Sequence, residues 1–227
     1  MSIKGKLVAA AVAVTLVGGV ITARAPSAKA ATPQCGPHCV GVFSRAFGTP
    51  DSPNFIETVY HGVATVGQPT ILQRANGSDP AEDFIVPRAG KVSDFFHAGM
   101  VSAEVNRHYG SERAVQIEYA PLGAPSGLCA GLATTAYQNE GLSLQRCNVP
   151  GTTVWILDIM DSPATGSTYF PLVNGTNRDF VHPFGMTYPS KADPSHKRLP
   201  QIVVRHLLGN PGRVPDRQLW GSVFRVL

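Results

Sequence analysis

Seven histidines and four cysteines are the most chemically capable residues in this chain, and their spacing argues against most of what they could do. His38, His61, His97, His108, His182, His196 and His206 are scattered. None stands four residues from another with a further ligand beside it, the spacing that sets two imidazoles on one helical face for zinc. Cys35, His38 and Cys39 lie together in CGPHC, but no second half of a zinc ribbon follows. No metal site and no cofactor are therefore expected. A G-x-S-x-G nucleophile elbow and an H-E-x-x-H helix are both absent from the sequence. Asp158 and Asp161 are two carboxylates close in sequence, yet a glycosidase pair is defined by separation in space, and at a strand end they read as turn residues. The expectation is a protein that is not an enzyme, with a hydrolase of unrecognised site as an alternative.

The elements that would carry these residues begin after a targeting segment. Lys4 and Lys6 make a basic start, Leu7 to Ile21 is apolar, and Ala28-Lys29-Ala30 is a small-x-small cleavage site. Residues 1–30 thus read as a secretory signal peptide, and 31–227 as one domain of the mature protein. No later run approaches the roughly 20 apolar residues of a membrane span, so no membrane association is expected after cleavage. The full chain has 19 Lys+Arg against 15 Asp+Glu. Lys4, Lys6, Arg24 and Lys29 leave with the signal, so the mature domain carries 15 of each. That removes the basic footprint nucleic-acid binding requires.

An exported chain with four cysteines points to disulfides, of which three pairings are possible. Spacing favours Cys35–Cys39, around a Gly36-Pro37 turn, and Cys129–Cys147, around a hairpin-sized loop. By loop-closure entropy the second contributes around 3 kcal/mol. A bridged Cys147 is not a thiol nucleophile.

The mature chain is rich in Gly and Pro, poor in charge, and built from short apolar runs between polar turns. That grammar predicts strands, in an all-β domain. Candidates are Val40–Phe47, Phe55–Val63, Gly67–Arg74, Phe84–Val86, Ala114–Ala120, Leu142–Leu144, Val154–Leu157, Thr168–Asn174, Asp179–Thr187, Gln201–Leu208 and Leu219–Leu227. Lys91–Tyr109 breaks the pattern and reads as a strand from Val92 to Phe96, then an insertion or one short helix. Ser102 is its N-cap and Gly110 its stop. Asn76-Gly-Ser78 and Asn174-Gly-Thr176 match the glycosylation sequon, both in expected turns.

Three stretches share one shape: Ile71–Val86, Leu142–Leu157 and Ile202–Phe224. Each has an apolar strand ending near an arginine (Arg74, Arg146, Arg205), then a polar loop, then an aromatic within an apolar run (Phe84, Trp155, Trp220). Internal self-similarity of this kind is the main clue to architecture. Gln218-Leu219-Trp220 resembles the Q-x-W motif of ricin-type β-trefoil lectin domains. Ser126–Cys129, Leu144–Cys147 and Trp155 resemble that family's Cys…Cys…Q-x-W unit, with Thr153-Val154-Trp155 and Glu82-Asp83-Phe84 as degenerate copies.

The resemblance implies a β-trefoil of three pseudo-repeats, each of about four strands, with a short insertion between repeats one and two. It implies core roles for Phe84, Trp155 and Trp220, and an intra-repeat Cys129–Cys147 bridge. It also implies a binding module whose partner is a glycan, and with the signal peptide the expectation is a secreted monomer. The family's sugar-site Asp after the first cysteine is replaced here by Ala130. Asp179, Asn177 and Gln218 of the third repeat become the ligand-binding candidates. A protein-binding or protease-inhibiting β-trefoil, acting through Tyr188–Pro200, is the alternative.

Overall fold

A computed structural model describes residues 35, 39–49, 52–158, 168–189, 201–208 and 214–224. The signal-peptide reading falls on residues 1–30, outside the described residues. Among the described residues, no helix is long and apolar enough to cross a membrane.

Among the described residues, twelve of the strands fall into three units of four. The first has β1 (Cys39–Ser44), β2 (Phe55–Val59), β3 (Thr70–Arg74) and β4 (Phe84–Lys91). Next come β5 (Arg113–Tyr119), β6 (Leu128–Leu132), β7 (Leu142–Arg146) and β8 (Trp155–Leu157). The third has β9 (Leu172–Asn174), β10 (Phe184–Thr187), β11 (Val203–His206) and β12 (Trp220–Phe224). A two-residue ladder, Gly48–Thr49 against Ser52–Pro53, sits beside the first unit.

The outer strands of the units close a ring. β1 pairs with β4 and β12, β4 with β5, β5 with β8, and β8 with β9, all antiparallel. Phe170, just ahead of β9, completes the circuit by exchanging both backbone hydrogen bonds with Trp220, each 2.9 Å. Closure leaves this six-stranded ring without a free edge. The inner strands form three hairpins, β2–β3, β6–β7 and β10–β11. Bridges Pro69↔Ser143, Gly141↔Val203 and Ile71↔Gln201 join each hairpin to the next in cyclic order. A six-stranded barrel capped by three hairpins about a pseudo-three-fold axis is the β-trefoil.

Hairpin register corrects the alignment of the repeats. Phe55 faces Arg74, Leu128 faces Arg146, and Phe184 faces His206. His206, not Arg205, is therefore the third-unit counterpart of Arg74 and Arg146. A one-residue slip in a strand exchanges its faces, and composition alone does not reveal it.

Alternation along β5 shows how the chain packs. Val115, Ile117 and Tyr119 turn inward to the barrel core with Phe84, Trp155 and Trp220, while Ala114 faces outward. The outward side is not solvent. The insertion predicted to begin as a strand begins instead as a helix, α1 (Val92–His97), followed by α2 (Ala103–Tyr109). Asp94 accepts from the Lys91 amide, and Ser102 accepts from the Val105 amide. These capping bonds satisfy helix-end donors that a strand would have placed in a ladder. Val92, Phe95, Val105 and Tyr109 pack on Ala114, Ile156 and Val173, giving a second hydrophobic core outside the barrel.

Candidate functional site

The three aromatics predicted for the core are buried, and two of them show how the units are built. Trp155 donates its indole N–H to the Ala130 carbonyl at 2.9 Å, and Trp220 donates to the Met186 carbonyl at 2.7 Å. Ala130 and Met186 hold the same register position on β6 and β10, opposite Leu144 and Val204. Phe84 has no such donor. The residue two before each aromatic also has one shared task, which is to hold the loop after the third strand. Gln218 accepts from the Leu208 amide at 2.9 Å, and Glu82 accepts from the Asn76 and Gly77 amides. Thr153 donates toward the Cys147 carbonyl at 3.2 Å. The cysteines are bridged as Cys35–Cys39 and Cys129–Cys147.

The three ligand-binding candidates lie near one another but differ in availability. Gln218 is fully buried, and its amide also donates to the Thr187 hydroxyl and the His206 carbonyl, 3.0 Å each. Asn177 is buried; its amide donates to the Asp179 carbonyl, and its oxygen accepts from the Phe184 amide. Asn177 is committed to shaping the 175–183 loop, and Gln218 to holding the chain after β11 against β10. Asp179 is partly exposed. One oxygen accepts from the amides of Val181 at 3.0 Å and His182 at 2.8 Å, and the other lies 3.9 Å from His206 Nδ1. The His182 amide does most to hold this carboxyl below the usual range. Partial desolvation opposes that, while the Val181 amide and the His206 and His182 rings assist.

The 175–183 loop has a second side. The side chains of Asn177 and Asp179 are held in the loop's own hydrogen bonds, whereas Arg178 and Phe180 line a groove beneath α2, whose second lobe Asn177 also borders. One lobe, of about 390 Å³, is lined by Glu104, Arg107, His108, Arg178 and Phe180. A second, of about 500 Å³, shares Glu104 and Arg178 and runs past Ser102, Thr135 and Thr176. Both volumes fall within the roughly 300–1,000 Å³ of small-molecule sites. Glu104, Arg107 and His108 share one face of α2 by their i, i+3 and i, i+4 spacing.

The floor of this groove is fixed by close backbone approach. A Cβ on Gly175 would lie 2.9 Å from the Gly151 carbonyl oxygen and 2.9 Å from Val154 Cβ. Gly151 is in the left-handed region at φ +73°, and its amide donates to the Met100 carbonyl at 2.6 Å, tying insertion to trefoil. The buried Asn174 orients Thr176: the Thr176 hydroxyl donates to Asn174 Oδ1 at 2.7 Å and accepts from the Ala136 amide at 2.8 Å. That occupation leaves the Asn174 side chain inside the fold, so the second sequon is not a surface acceptor. At the groove's edge, Phe180 packs on His108 with ring centroids 4.8 Å apart.

Another cavity, of about 140 Å³, opens at the barrel end away from the hairpins, between residues such as Val42, Ile117, Leu157 and Leu172. Its lining is almost wholly apolar and offers a polar ligand little to bond. Among the described residues, no group of three His, Cys, Asp or Glu could hold a metal. Asp161 and all of Tyr188–Pro200 beyond Pro189 lie outside the described residues.

Sequence reasoning missed Glu104, Arg107, His108, Arg178 and Phe180. About seventy positions separate the helix from the loop, and only the packing of α2 on the barrel brings them together.

No protein-family model matches this chain, and no curated protein matches it. Solved structures do. The designed three-fold symmetric protein ThreeFoil superposes with a TM-score of 0.52 at 11% identity, over 82% of this chain and 98% of its own. The Rhizoctonia solani agglutinin gives 0.48 at 14% identity, over 84% of this chain and 97% of its own. A mosquitocidal holotoxin gives 0.49 at 9% identity, over 83% of this chain but only 17% of its own. At such identities the ThreeFoil likeness is one of fold, and it agrees with the strand circuit.

Proposed function

We propose that this chain is a secreted carbohydrate-binding module of β-trefoil architecture, and that the groove between α2 and the 175–183 loop holds the sugar. One observation carries the reading. The groove joins an aromatic edge, Phe180 with His108, to a carboxylate, two guanidiniums and hydroxyls on a backbone that cannot easily shift. Sugars offer apolar C–H faces ringed by hydroxyls, so a ring-stacking surface beside charged hydrogen-bonding groups suits them. The sequence resemblance to ricin-type domains points the same way, although this groove is built by the insertion rather than by the repeat's own strands. Fold alone does not imply function.

Two bridged cysteine pairs support export, since such bonds persist in oxidising compartments. The reading is binding without turnover. A glycan array probed with the mature protein tests it. Saturable binding to a defined glycan set, weakened by Phe180→Ala, is expected; no binding to any glycan at high protein concentration rejects the reading.

A further inference from the structure

We infer that the lobe under α2 selects an acidic saccharide, one whose ring carries a carboxylate or sulfate, over its neutral counterpart. The inference rests on the carbohydrate reading and narrows it. Five residues line the lobe, and two of them are arginines. Neither Arg107 nor Arg178 has an ion pair or side-chain hydrogen bond among the described residues. Asp179, adjacent to Arg178 in sequence, is already occupied by the Val181 and His182 amides and lies toward His206. Two guanidiniums unpaired among the described residues thus line one concavity with a single carboxylate, Glu104, and a bound anion can take a planar, two-pronged bond from each.

The remaining residues say why the anion belongs to a sugar. Phe180 offers a half-buried ring at the lobe's edge, a surface free phosphate or acetate cannot use. Glu104 sits where the two lobes meet; it repels an anion there but accepts hydroxyl donors. Arg178 also lines both lobes, whereas Arg107 lines only the first, so the acid group is directed to the Arg107 side of Arg178, and the neutral part of the saccharide toward Ser102, Thr135 and Thr176. A polyanion such as nucleic acid is disfavoured, because the mature domain has as many acidic as basic residues and two arginines make no stripe.

The test is an array of glycans in matched pairs, each member with and without its carboxylate or sulfate, probed with the disulfide-intact mature protein. Expected are binding to acidic members, at least tenfold weaker binding to their neutral partners, and loss of that preference in Arg107→Gln and Arg178→Gln. Both side chains are exposed, so both variants should keep the parent melting temperature. Arg178→Lys should lose most of the preference while keeping the charge. Equal binding of acidic and neutral members overturns the inference and leaves the carbohydrate reading standing. Acid preference that survives both glutamine variants places the anion elsewhere and also overturns it. Displacement by equimolar acetate or sulfate would reduce the lobe to a plain anion site, and binding to no member would reject the carbohydrate reading itself.

Discussion

Glu57 faces Leu72 across the first hairpin, at the register position that Ala130 and Met186 hold in the other two. A carboxyl therefore stands where its pseudo-symmetric partners are apolar and in the core. It is fully buried, and neither its oxygens nor the buried Thr70 hydroxyl make a well-formed hydrogen bond, which leaves Thr70 only a weak polar influence on the carboxyl. Burial pushes its pKa up from 4.5 to about 7, against a smaller opposing effect of the Thr70 hydroxyl. The folded state binds this proton more tightly than the unfolded chain. Stability linked to Glu57 is thus fully present below about pH 4.5 and falls as pH rises to about 7, beyond which the whole penalty applies. The shift corresponds to about 3 kcal/mol. Glu57→Gln should flatten this part of the stability–pH curve, and Glu57→Met, copying the third unit, should raise the melting temperature at pH 8 more than at pH 5. Denaturant titrations at the two pH values check both.

Trp220→Phe removes the indole donor to the Met186 carbonyl. The carbonyl loses its partner and a cavity opens, for a loss of about 1–3 kcal/mol. Trp155→Phe should act alike through Ala130. Thermal unfolding of the two variants should show comparable destabilisation; an unchanged midpoint in either would contradict the indole's structural role.

Gln218→Ala separates a structural glutamine from a ligand-contacting one. Its side chain satisfies the Leu208 amide, the Thr187 hydroxyl and the His206 carbonyl. The variant should lose about 2 kcal/mol of stability, as buried partners are left unpaired. Well below its melting temperature, its glycan affinity should stay within about twofold of the parent, a difference of under 0.5 kcal/mol. Calorimetric titration beside chemical denaturation reads both quantities.

Gly175→Ala places a methyl against the Gly151 carbonyl, Val154 and Val101. Because these neighbours are backbone or side chains buried in the second core outside the barrel, the loop must move. A loss of about 1–3 kcal/mol is expected. Groove binding should weaken with it, since Thr176 and Arg178 follow Gly175 directly. Phe84, in the first unit, should keep its near-ultraviolet environment, which aromatic circular dichroism would follow.

Removing the Cys129–Cys147 bridge as a double alanine variant frees a loop spanning 18 residues. A cost of about 3 kcal/mol follows from the entropy of the unfolded chain. Cys35–Cys39 spans 4 residues and should cost much less, so melting curves of the two double variants should differ clearly.

The local rules carried the architecture a long way. Alternation in Ala114–Ala120, the turn residues between apolar runs, and an aromatic recurring at Phe84, Trp155 and Trp220 were enough for an all-β domain of three repeats with an insertion after the first, and the resemblance of Gln218-Leu219-Trp220 to the Q-x-W motif supplied the trefoil. All of these are short-range signals, set by side-chain period and by backbone freedom at glycine and proline. Local pattern failed where two solutions satisfy it. Val92, Phe95 and Phe96 fit a strand edge as well as a helix face, and the packing of α1 on the barrel decided between them. Arg205 and His206 differ by one residue, and the ladder with Phe184 decided the register. The groove was beyond local reach altogether. Asn177, Asp179 and Gln218 carry the polar groups a sugar would want, yet Asn177 is spent on its own loop and Gln218 on Thr187, His206 and Leu208. Arg107 and Arg178, distant in sequence, meet only because a hydrophobic helix face must be buried against the outside of the barrel.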